Sequence, residues 1–410
     1  MNELYLRINR PFEIEIIDEE KEFYEGVVME AHILETFPKA LSTLLARIEK
    51  PYLIDPITYK FGIQKTMEEL IEKRWFFGLT EKFDPYSKIF SQYDILTPDI
   101  WNHSLDEYFT KNVIEYQKNR LSELFRRQEM PTLMSFIGEK VPDKDITLKP
   151  EYVIPPYFIA ENEKWFDFNM RFAKEAIQIE GEKSLIIPLV LSRDVLASPM
   201  LDNYIRKLLS LNPPRILVWI TALNESQETE TCLITFIQIL HTLKEKSRDI
   251  RIYNAFSGYF SDLLQKIGLL DKVIHGIGIA EFRDPYAETG PPPPRYYMPF
   301  LHSFLSPDNA EILRVECPHL FSCNCGVCSR DIPITEMSSK ELLRHFIRVK
   351  KNELSHKISL LDAISSLEEK IEILKHVSKE KPIIRNILMP NIRMMERWKQ
   401  ALSYYQEKFC

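Results

Sequence analysis

SLIIPLVLSRDVLASPMLDNYIRKLLSLNPPRILVWIT, residues 184–221, sets the architecture expected of this chain. It opens on an apolar, β-branched run, Ser184–Leu191, and closes on another, Arg215–Thr221. Between them Met200–Ser210 repeats its apolar residues at helical spacing. Two strands joined by a helix run parallel, with the helix covering the sheet. The pattern recurs outward from this stretch. Strands are expected at Pro51–Ile54, Tyr152–Ile154, Ile250–Ala255 and Val273–Ile279, and helices at Lys164–Gln178, Thr229–Lys246 and Ser257–Ile267. A dinucleotide-binding sheet needs a glycine-rich first turn, yet the chain has only 11 Gly and no G-x-G-x-x-G. The expectation is therefore an α/β protein built on a TIM-type (β/α)8 barrel. Gly276-Ile-Gly278-Ile is read as a strand whose glycines permit close backbone approach.

Composition narrows the class of protein. The 410 residues are 45% hydrophobic and 28% charged, enough for one large domain and an appendage. No apolar run approaches the roughly 20 residues of a membrane span. The N-terminus, Met1-Asn-Glu-Leu-Tyr-Leu-Arg7, lacks the basic and apolar regions of a signal peptide. A cytoplasmic protein with no membrane partner is expected. The net charge of −7 argues against a uniform coat of phosphate contacts. A local basic face is still possible: Lys370–Gln400 has eight Lys or Arg against three Glu, including Arg393 and Arg397. It reads equally as a solvated helix face.

Two regions interrupt the alternation. Residues 66–145 are long, aromatic and charged, helical around Ile100–Gln128, and read as an insertion in a barrel spanning 1–290. Pro291-Pro-Pro-Pro294 then opens a C-terminal segment, 291–410, with helices over Ser338–Leu374 and Met389–Lys408. That segment contains Cys323-Asn-Cys325-Gly-Val-Cys328. Three thiols in six residues can converge on one tetrahedral ion, with a distant imidazole as fourth ligand. A closed set of this kind is structural, so a zinc-binding helical subdomain is expected at the C-terminal side. His345 and His356 both lie within reach.

A barrel followed by C-x-C-x-x-C and a later His resembles the tRNA-guanine transglycosylase family. Further segments match in order, from roughly Val28 to Leu361. Leu53-Ile-Asp55-Pro-Ile-Thr-Tyr-Lys-Phe61 sits where the family has DSGGFQ, and Trp165–Ile177 is similar to a helix after a central strand. Thr221-Ala-Leu-Asn-Glu225 lies where the family has its GLAVGE loop, and Arg344–Arg348 resembles the helix before the zinc histidine. The resemblance favours His356 as the fourth ligand, with 27 residues between it and Cys328 against 16 for His345. It implies exchange of guanine in a nucleic acid for a 7-deazaguanine, with structural zinc. The DSGGFQ glycines are missing and no RNA-binding domain follows the zinc helices. The chain is thus more similar to the divergent branch that acts on DNA than to tRNA enzymes. Partners implied are DNA (tRNA as alternative), the free base, and a protein that opens the duplex. The rival is a catalytically inactive homologue that binds nucleic acid or acts as a scaffold.

Base exchange at one C1′ is easiest in two steps, with one carboxylate as nucleophile and another group moving a proton. Asp55 ends a predicted strand and matches the family's acid–base aspartate; an Asp-Pro turn is its structural alternative. His275 falls where the family has its nucleophile, so Glu281, on the same strand parity, is the candidate carboxylate, with Asp284 following. His275 would then line the pocket, or be a core histidine. Tyr157 or Phe158 could stack on a base, or fill the core. Glu225 could accept from a base amine, or cap a helix, and Arg193 could add polar contacts. Phe76, Phe77, Tyr86 and Trp101 of the insertion are candidate wedges into the duplex, or core.

Overall fold

The computed structural model describes residues 3–63, 79–80, 83–93, 95–126, 148–246, 249–277, 281–286, 293–321, 323–328 and 332–410. Seven parallel strands form one curled sheet: β1 (Glu3–Ile8), β2 (Gly26–Glu30), β3 (Tyr52–Asp55), β4 (Ile187–Leu191), β5 (Arg215–Ile220), β6 (Arg251–Asn254) and β7 (Lys272–Gly276). Their order is β3-β2-β1-β7-β6-β5-β4, so the first and last strands in sequence are neighbours. The alternation around residues 184–221 is present as expected. β1 and β2 were not expected, because charged Arg7 and Glu30 break their apolar runs.

Residues 151–160 run alongside both edge strands. Glu151 N–H donates to the Tyr52 carbonyl at 2.8 Å, on the β3 side. On the β4 side, Val153 and Ala160 make parallel bridges with Leu185 and Leu191. The same end of the sheet is tied by Tyr5, whose hydroxyl donates to Glu151 at 2.6 Å, and by Lys272, 2.9 Å from that carboxylate.

Helices cover the sheet: α1 (Glu13–Glu19), α2 (Ala31–Thr36), α3 (Pro38–Ile48), α4 (Asp84–Gln92), α5 (Asp106–Arg126), α6 (Glu163–Glu180), α7 (Leu201–Leu209), α8 (Glu230–Lys246) and α9 (Tyr259–Lys266). Asn162 caps α6 by accepting from Trp165 N–H, and Gly181 ends it with φ 74°, a conformation glycine adopts without strain. The insertion helix α5 packs on both α3 and α6, as a crossover helix would. Its wedge candidates Tyr86 and Trp101 are 0% and 4% exposed, so both are core; Phe76 and Phe77 lie outside the described residues.

After β7 come a hairpin, β8 (Tyr296–Met298) with β9 (Ser303–Leu305), then α10 (Pro307–Glu316), the cysteine loop, α11 (Ser339–Glu353), α12 (Leu360–Glu380) and α13 (Arg385–Phe409). The chain from the hairpin onward returns to the sheet's outer layer. α11 lies against α1, with Arg344 and Arg348 both 2.6 Å from Glu20. On its other side Lys350 reaches Asp262 of α9 at 2.8 Å. α13 packs along α8 and donates from the Trp398 indole to the Glu225 carbonyl at 2.8 Å.

Candidate active site and metal centre

Strand alternation sends Tyr5 and Arg7 to the inside of the curled sheet, and Leu4 and Leu6 outward to the helices. At the C-terminal ends of the strands, Arg7, Glu30 and Asp55 meet. Glu30 and Asp55 are cross-strand partners at the ends of β2 and β3. Arg7 Nη1 donates to Asp55 Oδ2 at 2.9 Å and lies 3.6 Å from Glu30 Oε1. Its guanidinium sits 4.3 Å over the Phe256 ring, beyond the end of β6. The other Asp55 oxygen accepts from the Tyr157 hydroxyl at 2.7 Å and from Ile57 N–H at 3.0 Å. Ile57 has φ 49°, a left-handed conformation that β-branched residues rarely adopt. Strain of this kind persists where surrounding contacts over-determine the geometry.

Glu30 is 2% exposed and ringed by bases. Lys60 is 3.8 Å away, His32 3.2 Å, and Arg283, from the loop after β7, contacts it directly. Burial alone would raise the Glu30 carboxyl, but the charges of Arg283, Lys60 and Arg7 hold it below its ordinary value. Burial, reinforced by Lys60, pushes His32 well below its ordinary value, so it is neutral here. Burial and then the Asp55 charge raise the Tyr157 phenol, which stays a donor.

Aromatic rings wall this mouth. Tyr59 stacks on Tyr157 at 5.8 Å and meets the edge of Trp219 at 5.0 Å, and Trp219 lies 5.1 Å from Phe256. Trp219 is 2% exposed, and its indole N–H has no hydrogen-bond partner among the described residues. Among the described residues, open clefts lie elsewhere. One of about 550 Å³ is bounded by Lys118, Glu151 and Ser184, and one of about 490 Å³ by Glu372, Arg393 and Gln400. In the second, the basic stretch is largely paired: Lys375 with Glu396 at 3.2 Å and Lys399 with Glu368 at 3.0 Å.

The residues expected from the sequence divide. Asp55 and Tyr157 are at the mouth, in contact with each other. Phe158 is not: it stacks on Phe168 at 5.0 Å under α6, a core position set by strand alternation. Glu225 caps α9, with Ser261 N–H donating to it at 2.9 Å and the Ser261 hydroxyl to its other oxygen. That occupies both oxygens, and burial pushes the carboxyl up to about 7 against these bonds. Arg193 is held bidentately by Glu228 at 2.8 and 2.9 Å on the rim.

His275 takes the second of its two expected places, that of a core histidine. It shares its face with Leu6, its β1 neighbour, and so points out of the sheet rather than into the mouth. There its Nε2 pairs with Asp262 at 2.7 Å, and Asp262 pairs in turn with Lys350. Glu281 is half-buried at the start of the loop after β7, with Oε1 lacking a partner among the described residues. Burial pushes its carboxyl up to about 8, against Lys350 and with Glu225, Asp262 and Glu353. Those charges lie on the helix side of β7. Asp284, in the same loop, accepts from Tyr286 N–H at 2.9 Å.

The three thiols and one imidazole come together as a group that could hold a metal ion. Cys323, Cys325, Cys328 and His345 place their donor atoms within 4.8 Å of one another. His345 Nδ1 is 3.7, 3.4 and 3.1 Å from the three sulfurs in that order. Tetrahedral ligands at zinc bond lengths stand roughly 3.5–3.8 Å apart, so the set is close to that arrangement. The Val327 and Cys328 N–H groups both donate to Cys325 Sγ at 3.3 Å, which suits a thiolate. His345 Nε2 donates to the Tyr297 carbonyl at 2.6 Å, fixing the tautomer that leaves Nδ1 free to ligate. The preference for His356 is corrected. It sits in an exposed bend beyond α11, whereas α11 begins soon after the thiols and turns His345 inward.

Reading from the sequence missed Arg7, Glu30, Lys60, Arg283, Tyr59 and Trp219. Two carried a signal: Val27-Val-Met-Glu30 ends an apolar run on a carboxylate, as Leu53-Ile-Asp55 does, and Arg7 interrupts an alternating one. Comparison of the chain with protein-family models, curated proteins and solved structures finds no match.

Proposed function

We propose that this chain is a zinc-stapled (β/α)8 barrel that exchanges guanine in a nucleic acid, DNA before tRNA, for a 7-deazaguanine. The observation that carries the reading is the carboxylate pair Asp55 and Glu30, buried at the strands' C-terminal ends and sharing one nitrogen of Arg7. This is the end at which barrel enzymes place their chemistry. The barrel is read from residues 151–160, which take the eighth place between β3 and β4. Zinc is read from a donor set of three thiols and one imidazole, which leaves no open position and so makes it structural. Reduced thiols of this kind suit a reducing, cytoplasmic compartment.

The two contacts to Arg7 Nη1, 2.9 and 3.6 Å, limit how far apart the two carboxylate oxygens can be. Two carboxylates gathered on one nitrogen suit direct attack by one of them, and base exchange requires no water between them. Attack by a carboxylate itself is favoured. Glu30, held ionised by its basic neighbours, is the nucleophile, in place of Glu281, whose charged neighbours lie on the other side of β7. Its oxygen bonds to C1′ as the C1′–N9 bond breaks, and the electron pair leaves with the guanine. Asp55 acts in this step in its protonated form, released from its pair with Arg7, and delivers that proton to the departing base. The incoming deazaguanine gives its proton to Asp55 and its nitrogen displaces Glu30 from C1′. Tyr59 and Trp219 offer stacking faces to an extruded base, which any base accepts.

The test is incubation of the zinc-loaded protein with labelled guanine or a labelled 7-deazaguanine, with duplex DNA and tRNA in separate tubes. Label in DNA that is lost with Asp55→Asn and Glu30→Gln supports the reading. Label only in tRNA reassigns the polymer. A second reading, binding without turnover, draws on the full engagement of both carboxylates, and predicts polymer binding with no label.

A further inference from the structure

Among the described residues, three cations stand around two carboxylates at this mouth. Arg7, Lys60 and Arg283 face Glu30 and Asp55, with His32 neutral. Two of the cations are fixed by the frame: Arg7 on β1 and Lys60 on the turn after β3 have side chains 1% and 5% exposed. Arg283 differs. It sits on a loop, and its side chain is 28% exposed. Its loop is pinned across the mouth at two further points. The Arg283 carbonyl accepts from Ala222 N–H at 2.8 Å, after β5, and the Tyr286 hydroxyl donates to Glu161, at the end of residues 151–160. On its outer side the same loop presents Phe282 and Tyr286, 38% and 42% exposed.

We infer that residues 281–286 form a phosphodiester-sensing latch, in which Arg283 exchanges Glu30 for a backbone phosphate of the nucleic acid. The inference rests on the proposed function for what happens at Glu30 afterwards, but the exchange of partners stands on the loop alone. A guanidinium binds carboxylate and phosphate through the same planar fork, so it can pass from one to the other without changing its donor geometry. Leaving Glu30 does not strand that carboxylate, because Arg7, Lys60 and His32 remain around it. Exposed aromatics beside a cation are the combination that holds unstacked nucleic acid, base faces on rings and phosphates on charge. The free base has no phosphate, so it cannot open the latch; the polymer can. Trp219, buried against Tyr59 and Phe256 with no partner for its N–H among the described residues, marks a polar position that an opened mouth would let a ligand fill.

The test uses the full-length protein and a fluorescently labelled single-stranded DNA dodecamer, with binding followed by anisotropy from low to high salt. Arg283→Gln should lower the slope of log K against log salt by about one, the loss of one phosphate contact. Glu30→Gln frees Arg283 from its internal partner and should tighten binding about three- to tenfold, and the gain should vanish in the Glu30→Gln, Arg283→Gln double variant. A structural role for the ion pair predicts no such sign reversal. An unchanged slope in Arg283→Gln, or a Glu30→Gln gain that persists without Arg283, overturns the latch. Tyr286→Phe, which removes only the contact to Glu161, should tighten binding modestly and covers the case in which Glu30→Gln fails to fold. Base exchange is not read in this experiment. A latch that passes while no polymer is labelled would leave the inference standing and remove the exchange chemistry.

Discussion

Asp55 is bound to three groups that are distant in sequence or turned towards it by strain: Arg7, Tyr157 and Ile57. Asp55→Asn keeps the volume but leaves the fully buried Arg7 facing a neutral amide. It should abolish base exchange and cost about 3–5 kcal/mol in urea unfolding, the range for breaking a buried ion pair from one side. Tyr157→Phe removes one hydroxyl donor and should cost about 1–3 kcal/mol. Equal costs for the two variants would mean that the Arg7 pair contributes little. Asp55 was legible because a carboxylate after an apolar run and before Pro56 stands out. Glu30 was not, although its local sequence is similar. Its partner Arg283 is 253 residues away, and no local pattern announces a pairing of that separation. His275 shows the converse. Its place in the sequence suggested the mouth, but a one-residue change of parity on a strand moves a side chain to the opposite face.

At the scale of elements, α11 joins the candidate metal ligands to the frame. Its start is a reciprocal capping box between Ser338 and Glu341, and His345 lies on the side that faces the thiols. His345→Ala should release the metal and lower the melting temperature, whereas His356→Ala should keep full metal content; atomic absorption on the purified variants checks both. Metal retained by His345→Ala would mean that the imidazole is not a ligand. The thiol spacing was readable because three ligands sit within one short loop. The histidine was not, since helix length and packing, rather than residue count, decide which side chain arrives. The long helix α5 makes a similar point. It reads as part of an insertion, yet it lies between α3 and α6, with Arg120 paired to Glu35 and Lys118 to Glu180.

Across the whole molecule, buried charges tie the last helices to the sheet. Lys350 of α11 and Asp262 of α9 are both 0% exposed and 2.8 Å apart. Lys350→Met removes the cation and leaves Asp262 with His275 alone; about 3–5 kcal/mol of stability should be lost in urea unfolding. A loss under 1 kcal/mol would show that His275 suffices. Glu225, where α13 meets the cap of α9, gives the molecule a pH dependence. Its carboxyl ionises at an ordinary value of 4.5 in the unfolded chain but only at about 7 in the fold. The stability it contributes is therefore complete below about 4.5 and lost as pH rises through about 7. Glu225→Gln should flatten that part of the curve of urea midpoint against pH, and an unchanged curve would assign the dependence elsewhere. The alternation of strands and helices, the three clustered thiols and the aspartate at the end of β3 were legible in the chain alone. Each is a short-range pattern, fixed by backbone periodicity or by ligand spacing within one loop. The assembled fold was needed to show that Glu30 joins Asp55, that His345 joins the thiols, and that His275 points out of the sheet. Curling the sheet brings together residues that are far apart in the chain, and which face each presents follows from strand register, a property of the assembled sheet.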